Sequence, residues 1–157
     1  MTNKSIIKFP LKYQASKDFL KLFALFEKIT ITFLSVFIAF FLTIKIEMMT
    51  STLISTVAIG ALTISILVAK KMYDEQALSK LTISTKIDPI EIERQIMLLN
   101  YKRVNNGIYS SNKKLFSFFF SCKSELITLN KHGNNIELTG PYNKILDLSK
   151  ALAYGEA

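Results

Sequence analysis

Cysteine, histidine and tryptophan are nearly missing from this chain: its 157 residues include one cysteine, one histidine and no tryptophan. Cys122 therefore has no partner for an intramolecular disulfide, and a lone cysteine fits a reducing compartment. A zinc-type metal site takes three or four ligands, most often Cys and His. We expect no metal, no cofactor, an unreactive thiol at Cys122, and a turn position for His132, which precedes Gly133.

Glycine is also scarce, with five residues, and the chain lacks the GxxxxGK and GxGxxG patterns of phosphate-binding loops. Residues 140–143 lead from a predicted strand into a helix, where free amides could hold an anion; an ordinary turn is the simpler interpretation. The acidic residues are scattered among lysines rather than paired. Because no residue can be assigned a nucleophilic or proton-transfer role, we predict no catalytic residues and a protein that is not an enzyme.

Charge is absent from two long stretches, residues 29–44 and 48–69, which are separated only by Lys45, Ile46 and Glu47. Crossing hydrocarbon about 30 Å thick takes roughly 20 apolar residues as a helix. Two such runs joined by so short a turn predict an antiparallel hairpin of two transmembrane helices.

The lysines predict the orientation of this hairpin. Six lysines precede the first run, and Lys70 and Lys71 follow the second, whereas the turn has one lysine and one glutamate. The positive-inside rule then places both termini in the cytoplasm, at a bacterial-type inner membrane. The formal net charge of +8 lies mostly beside the runs. Anionic lipid headgroups attract lysines there, so we expect lipid contacts and no nucleic-acid partner.

Small residues mark packing faces on the second run. They fall in two series spaced four apart: Thr52, Thr56 and Gly60, and Ala61, Ser65 and Ala69. Such residues allow a neighbouring helix to approach closely. The neighbour is either the first helix of the hairpin or another subunit, which leaves a homo-oligomer open.

The predicted organisation has four parts. They are a loose tail and an amphipathic interfacial helix over residues 1–28, the hairpin over 29–69, a helical extension and linker over 70–87, and a small α+β cytoplasmic domain over 88–157. The tail comprises residues 1–10, and the extension is expected to stay helical to about Leu81.

The last domain is predicted to have the order α-β-β-β-β-α with an antiparallel sheet. Its elements are a helix over 88–104, strands over 107–111, 115–122, 125–130 and 135–140, and a helix over 141–153. Asp88 and Pro89 fit the N-cap and first position of the first helix. In the second strand, alternation predicts that Phe116, Phe118 and Phe120 lie beneath the helices.

Phe119 falls on the opposite, serine-rich face of that strand, so it either packs beneath the linker or the membrane-proximal helix, or anchors a protein partner. Phe119 and Tyr142 are the candidate partner-binding residues. The preferred function is a non-enzymatic inner-membrane protein whose cytoplasmic domain binds a protein partner, as an accessory or regulatory subunit of a membrane complex. The alternatives are an immunity-type protein that blocks a membrane-acting toxin, and a homo-oligomeric pore or ligand-sensing membrane protein.

Overall fold

A computed structural model describes residues 5–46, 54–84, 87–112, 114, 117–133 and 135–154 of the chain. Its elements, in chain order, are β1 (Ser5–Lys8), α1 (Leu11–Lys17), α2 (Leu20–Lys45), α3 (Ile54–Glu75), β2 (Leu78–Ser84), α4 (Pro89–Leu98), β3 (Tyr101–Asn105), β4 (Ile108–Ser111), a short 3-10 helix (Lys123–Glu125), β5 (Ile127–His132), β6 (Asn135–Pro141) and α5 (Tyr142–Tyr154).

The described strands form one antiparallel sheet in the order β1-β2-β6-β5-β4-β3. Strand β1 pairs with β2, so that Ile6 lies opposite Leu81, although three helices separate the two strands in the chain. The chain therefore enters and leaves the α2–α3 pair at the same end, where the sheet lies. Strand β3 forms the far edge of the sheet.

Alternate residues of the central strands face the core, and helices α4 and α5 pack over them. In β2, for example, Leu81 and Ile83 are buried, while Thr82 between them is partly exposed. This is the period-two pattern of a sheet with one covered face. The buried members of the core are Leu81, Ile83, Ile92, Ile96, Tyr101, Tyr109, Ile127, Ile136, Leu138, Ile145, Leu148 and Leu152.

Helices α2 and α3 pack against each other and are long and apolar enough to cross a membrane, judged by length and composition. Their 26 and 22 residues correspond to roughly 39 and 33 Å at the helical rise. The uncharged run over 29–44 thus lies within α2, and the described part of the second run, residues 54–69, lies within its neighbour α3.

Several predictions for the last domain are confirmed. It combines α-helices with an antiparallel sheet and ends in a helix, α5. Asp88 is the N-cap of α4, where its Oδ1 accepts a 2.9 Å hydrogen bond from the amide of Ile90, and Pro89 follows in the first turn. The predicted strands over 107–111, 125–130 and 135–140 correspond to β4, β5 and β6.

The amino-terminal prediction was wrong for residues 5–8, which form β1 instead of a loose tail. The prediction of helix through Leu81 was also wrong, because α3 ends at Glu75 and β2 begins at Leu78. Helix propensity is a weak preference of the isolated segment. Here β2 gains ladder hydrogen bonds on both sides, from β1 and β6, and buries every second side chain.

The strand predicted over 115–122 is absent from its described part, residues 117–122, while residues 115 and 116 lie outside the described chain. The amides of Phe119 and Phe120 donate to the hydroxyl oxygen of Ser117 at 3.1 and 2.8 Å. Such local bonds from backbone to side chain replace the ladder of a strand. Phe118, predicted to be buried, is exposed.

The first helix of the domain is shorter than predicted, since α4 ends at Leu98 and residues 101–105 form β3. Asn100 takes the left-handed conformation, with φ of 65°, immediately after Leu99, the C-cap of α4. Asparagine tolerates this conformation, which stops a helix. Gly107 has φ of +71° in the turn between β3 and β4.

Candidate functional site

A buried polar cluster joins the helix pair to the sheet. The ammonium nitrogen Nζ of Lys21 on α2 donates to Oε1 of Gln14 on α1 at 2.7 Å and to the carbonyl of Gln76 at 2.8 Å. Nε2 of Gln14 donates to the hydroxyl oxygen of Tyr73 on α3 at 2.6 Å. The amide of Leu78, the first residue of β2, donates to Oε1 of Gln14 at 3.0 Å. These hydrogen bonds connect α1, α2, α3 and β2 directly, so the helix pair is fixed to the sheet.

Two carboxylates of the helical region bind the segment that precedes β5. Oδ2 of the buried Asp18 accepts a 2.8 Å hydrogen bond from the amide of Ser124. Further along α2, Oε1 of Glu27 accepts from the amide of Phe118 at 2.8 Å, and its Oε2 accepts from the hydroxyl of Ser117. The segment is therefore held at two points, by Asp18 between α1 and α2 and by Glu27 on α2.

Residues 117–120, which we call the Phe118 loop, carry one of the predicted site residues. Phe119 is 77% exposed and Phe118 is 71% exposed. Phe120 instead lies against α2, where its ring centroid is 5.8 Å from that of Phe23. The structure thus leaves Phe119 open to its surroundings rather than packed beneath the linker.

Tyr142, the second predicted site residue, begins α5 and lies beside a cleft of about 610 Å³. Nζ of Lys8 lies 3.6 Å from the centroid of the Tyr142 ring. Lys70 and Lys71 from the end of α3 also line the cleft, together with the acidic Asp74 and Glu75. Tyr142 is therefore grouped with lysines at the base of the helix pair.

The backbone around residues 140–143 is largely engaged within the protein. The amide of Tyr142 donates to the carbonyl of Ala77 at 2.8 Å. The amide of Lys144 donates to Oδ1 of Asn143, also at 2.8 Å. A side chain at Gly140 would place its Cβ 3.0 Å from Cγ1 of Ile127, so glycine serves close packing between strands. These contacts favour the ordinary turn over an anion site.

The small residues of the second run lie on two different faces of α3. Ala61 and Ser65 are buried, and the hydroxyl of Ser65 donates to the carbonyl of Ala61 at 2.6 Å. Thr56 and Gly60 are exposed, and a Cβ at Gly60 would meet no atom within 4 Å. Thr52 lies outside the described residues. One series is thus enclosed, and the other lies on an open surface.

Cys122 is buried and free. Burial, followed by the nearby carboxylates of Asp18 and Glu125, raises the pKa of its thiol to about 12. Only the thiolate is nucleophilic, so the thiol is unreactive near neutral pH. His132 is exposed at the end of β5. Within the part of the chain that the structure describes, no three His, Cys, Asp or Glu side chains could together hold a metal ion.

Sequence reasoning missed the surface at the edge of the sheet. The sequence pattern predicts helix through residue 104, whereas residues 101–105 form β3, whose residues after Tyr101 are exposed. Val104 on this strand is 60% exposed, and Met97 and Leu98 at the end of α4 are also exposed. The available signal was the pair Asn106 and Gly107 between two short segments of strand-forming residues, which is typical of a tight β-hairpin.

The fold and these surfaces describe a class of architecture: two neighbouring helices of membrane-like apolarity, inserted between adjacent strands of a two-layer α+β domain. No protein-family model matches the chain, and neither curated proteins nor solved structures gave a significant match.

Proposed function

We propose that this protein is a membrane-anchored, non-enzymatic binding protein. Helices α2 and α3 cross a bacterial-type inner membrane, and the α+β domain binds a protein partner in the cytoplasm as an accessory or regulatory subunit of a membrane complex. The observation that carries the proposal is the open β3 edge, with the exposed Val104 on the strand and the exposed Met97 and Leu98 at the end of α4. The position of Lys28, Lys70 and Lys71 toward the sheet end of the helices supports the cytoplasmic orientation.

The attachment of the domain to the helices suits binding at a membrane surface. Because β1 and β2 are neighbours in the sheet, the helix pair is an insertion within the domain and not a tether. The hydrogen bonds of Lys21 and Gln14 fix the helix pair to β2 of the sheet. A domain held in one orientation loses less conformational freedom when it binds a partner in the same membrane.

The β3 edge, which we define as residues 101–105, offers a recognition surface. The strand pairs with β4 on one side and forms the end of the described sheet on the other. Unpaired strand edges bind extended peptide segments through backbone hydrogen bonds, while side-chain contacts supply specificity. Val104, with Met97 and Leu98 nearby in the chain, supplies exposed apolar area for such contacts.

Site-specific photo-crosslinking in native membranes tests the proposal. A photoreactive residue in place of Val104 should form an adduct with one foreign protein, and the same residue in place of exposed Lys131 on β5 should not. The purified partner should then reproduce the Val104 adduct in reconstituted vesicles. Equal labelling at both positions, or no adduct at Val104, would contradict the proposal. The identity of the partner would distinguish a complex subunit from a toxin.

A homo-oligomer is the second candidate, and the exposed Thr56 and Gly60 on α3 favour it. Small residues four apart let a second copy approach closely within a membrane. A Gly60→Cys variant in a Cys122→Ser background, treated in membranes with a copper–phenanthroline oxidant that accepts the two thiol electrons, should form a disulfide-linked dimer if two copies meet there. Ion flux across vesicles containing the dimer would indicate a pore, whereas a dimer without flux would indicate an oligomeric anchor.

A further inference from the structure

We infer that the Phe118 loop inserts into the membrane interface, so that Phe118 and Phe119 contact the lipid bilayer in which α2 and α3 lie. The inference rests on the proposed membrane-spanning role of the two helices and extends it to a third segment. It assigns the exposed phenylalanines to lipid instead of to a protein partner.

The position of the loop along α2 is the first argument. Glu27 binds the amide of Phe118 at 2.8 Å, and the uncharged run begins two residues later at Ile29. Lys28 and Lys45 flank that run and are about 26 Å apart at the helical rise, close to the thickness of bilayer hydrocarbon. The loop is therefore held level with the boundary between hydrocarbon and headgroups.

The hydrogen bonding of the loop is the second argument. The amides of Phe118, Phe119 and Phe120 donate to the side chains of Glu27 and Ser117. Nζ of Lys114 donates to the carbonyls of Phe118 and Phe119 at 3.0 and 3.2 Å. In water, an exposed loop needs no such partners, because solvent supplies them. Irregular backbone at membrane depth must have its polar groups paired within the protein.

The apolar surface around the loop is the third argument. Phe19, the N-cap of α2, and Phe23 and Phe26 within that helix are exposed at positions i, i+4 and i+7, which share one helix face. Phe23 contacts Phe120 of the loop, so this face and the loop adjoin. Contiguous apolar surfaces of this kind are rare on proteins surrounded by water and typical of membrane contacts.

The charges beside this surface match an anionic bilayer. Lys28 follows Glu27 on α2, and Lys114 lies over the carbonyls of the loop with its side chain exposed. Lysines at this depth extend their ammonium groups to phosphates while their methylene stems cover apolar surface. Each such lysine contributes favourably to binding of anionic lipid. A lipid interface fits both the exposed phenylalanines and the lysines of this surface.

Tryptophan fluorescence tests the inference, because the chain has no tryptophan of its own. Phe119→Trp and Phe118→Trp are separately reconstituted in vesicles of phosphatidylcholine and phosphatidylglycerol, with or without bromine on the acyl chains. Bromine quenches tryptophan on contact. Ile38→Trp, at an exposed position of α2, is the positive control, and Val104→Trp on β3 is the negative control.

We expect brominated lipid to quench Phe118→Trp and Phe119→Trp to an extent comparable with Ile38→Trp, and to leave Val104→Trp unchanged. Quenching of Ile38→Trp alone would overturn the inference while upholding the membrane-spanning helices, and the loop would then face water or a protein. If Ile38→Trp is also unquenched, the inference and the membrane-spanning role fail together.

Discussion

Nζ of Lys21 and Oε1 of Gln14 are 2.7 Å apart, and both side chains are 1% exposed. A buried ammonium group is tolerated only when it is paired or hydrogen-bonded, because it has lost its water shell. Here the carbonyl of Gln76 is a second acceptor at 2.8 Å. The charge of Lys21 thus does not face lipid, although the residue lies near the start of a long apolar helix. The Lys21 side chain joins α2 to the sheet.

Replacing Lys21 by methionine should destabilise the junction. The change keeps most of the side-chain volume but removes the donor to the carbonyl of Gln76 and one of the two donors to Oε1 of Gln14. A hydrogen bond to a charged group contributes about 1.5–3 kcal/mol. Thermal unfolding in detergent micelles, followed by circular dichroism, measures the effect. Lys12→Met on the exposed side of α1 is the matched control. Equal melting temperatures for the two variants would argue against a structural role for the cluster.

Ala61→Leu should destabilise the helix pair, whereas Gly60→Leu should not. Ala61 is buried, and overpacking a close contact costs about 1–3 kcal/mol. Gly60 has open space around it, and removal of a glycine from a helix interior gains roughly 1 kcal/mol in water. Titration of the helical signal with a denaturing detergent compares the variants. The opposite order would show that the series with Thr56 and Gly60, not the series with Ala61 and Ser65, forms the helix contact.

The thiol of Cys122 should react very slowly with alkylating reagents in the folded protein. Burial and the carboxylates of Asp18 and Glu125 raise its pKa to about 12, so the thiolate fraction near neutral pH is small. The measurement is the rate of modification by iodoacetamide against pH, with the unfolded chain as reference. The folded rate should still be rising with pH where the unfolded rate has reached its plateau. Matching rates for the two states would contradict this assignment.

The stability of the α+β domain should fall at alkaline pH. Burial and the carboxylate of Glu93 raise the pKa of Tyr109 to about 12 from its ordinary value of 10.0. Burial and Glu125 also raise the pKa of Tyr101. The unfolded chain therefore loses these protons first. The stability that the protonated tyrosines give the folded domain is complete below pH 10.0 and is lost as pH rises toward about 12.

Absorbance of the phenolate distinguishes these groups from the other tyrosines. Tyr101 and Tyr109 should ionise above the ordinary pKa of tyrosine, together with unfolding of the sheet. A Tyr109→Phe variant should lose less stability between neutral and alkaline pH than the parent protein. A parent protein whose stability stays constant across this range would contradict the raised pKa values.

Glu27→Ala should release the Phe118 loop from α2. The variant removes the acceptor for the amide of Phe118 and for the hydroxyl of Ser117. In a Phe119→Trp background, quenching by brominated lipid should therefore decrease. Asp147→Ala, an exposed carboxylate on α5, is the control and should leave quenching unchanged. Undiminished quenching in Glu27→Ala would show that Phe120 and the neighbouring helix hold the loop without the carboxylate.

Local sequence patterns predicted the helices and strands that are specified by residues close together in the chain. The cap formed by Asp88 and the start of α4 require only adjacent residues, and α5 follows from apolar positions spaced by one helical turn. Strand β1 could not be recognised in this way. Its four residues are stabilised by β2, which follows only after three helices.

The candidate site was predicted only in part for a similar reason. The serine residues beside Phe119 in the sequence were enough to single it out as a candidate. The loop in which it lies, however, is held by Glu27, which is 92 positions earlier in the chain. The alternation of phenylalanine and serine around it resembles a strand. Bonds from Ser117 to the nearby amides, together with Glu27, favour a loop instead.

The amino-acid sequence by itself determined the long apolar helices, the basic residues beside them and an α+β domain with antiparallel strands, because these follow from composition and short-range periodicity. Only the tertiary structure decided that β1 and β2 are neighbours, that Lys21 is buried and that the Phe118 loop lies beside α2. Those features depend on contacts between distant parts of the chain, where the energy of a ladder or a buried hydrogen bond outweighs local propensity.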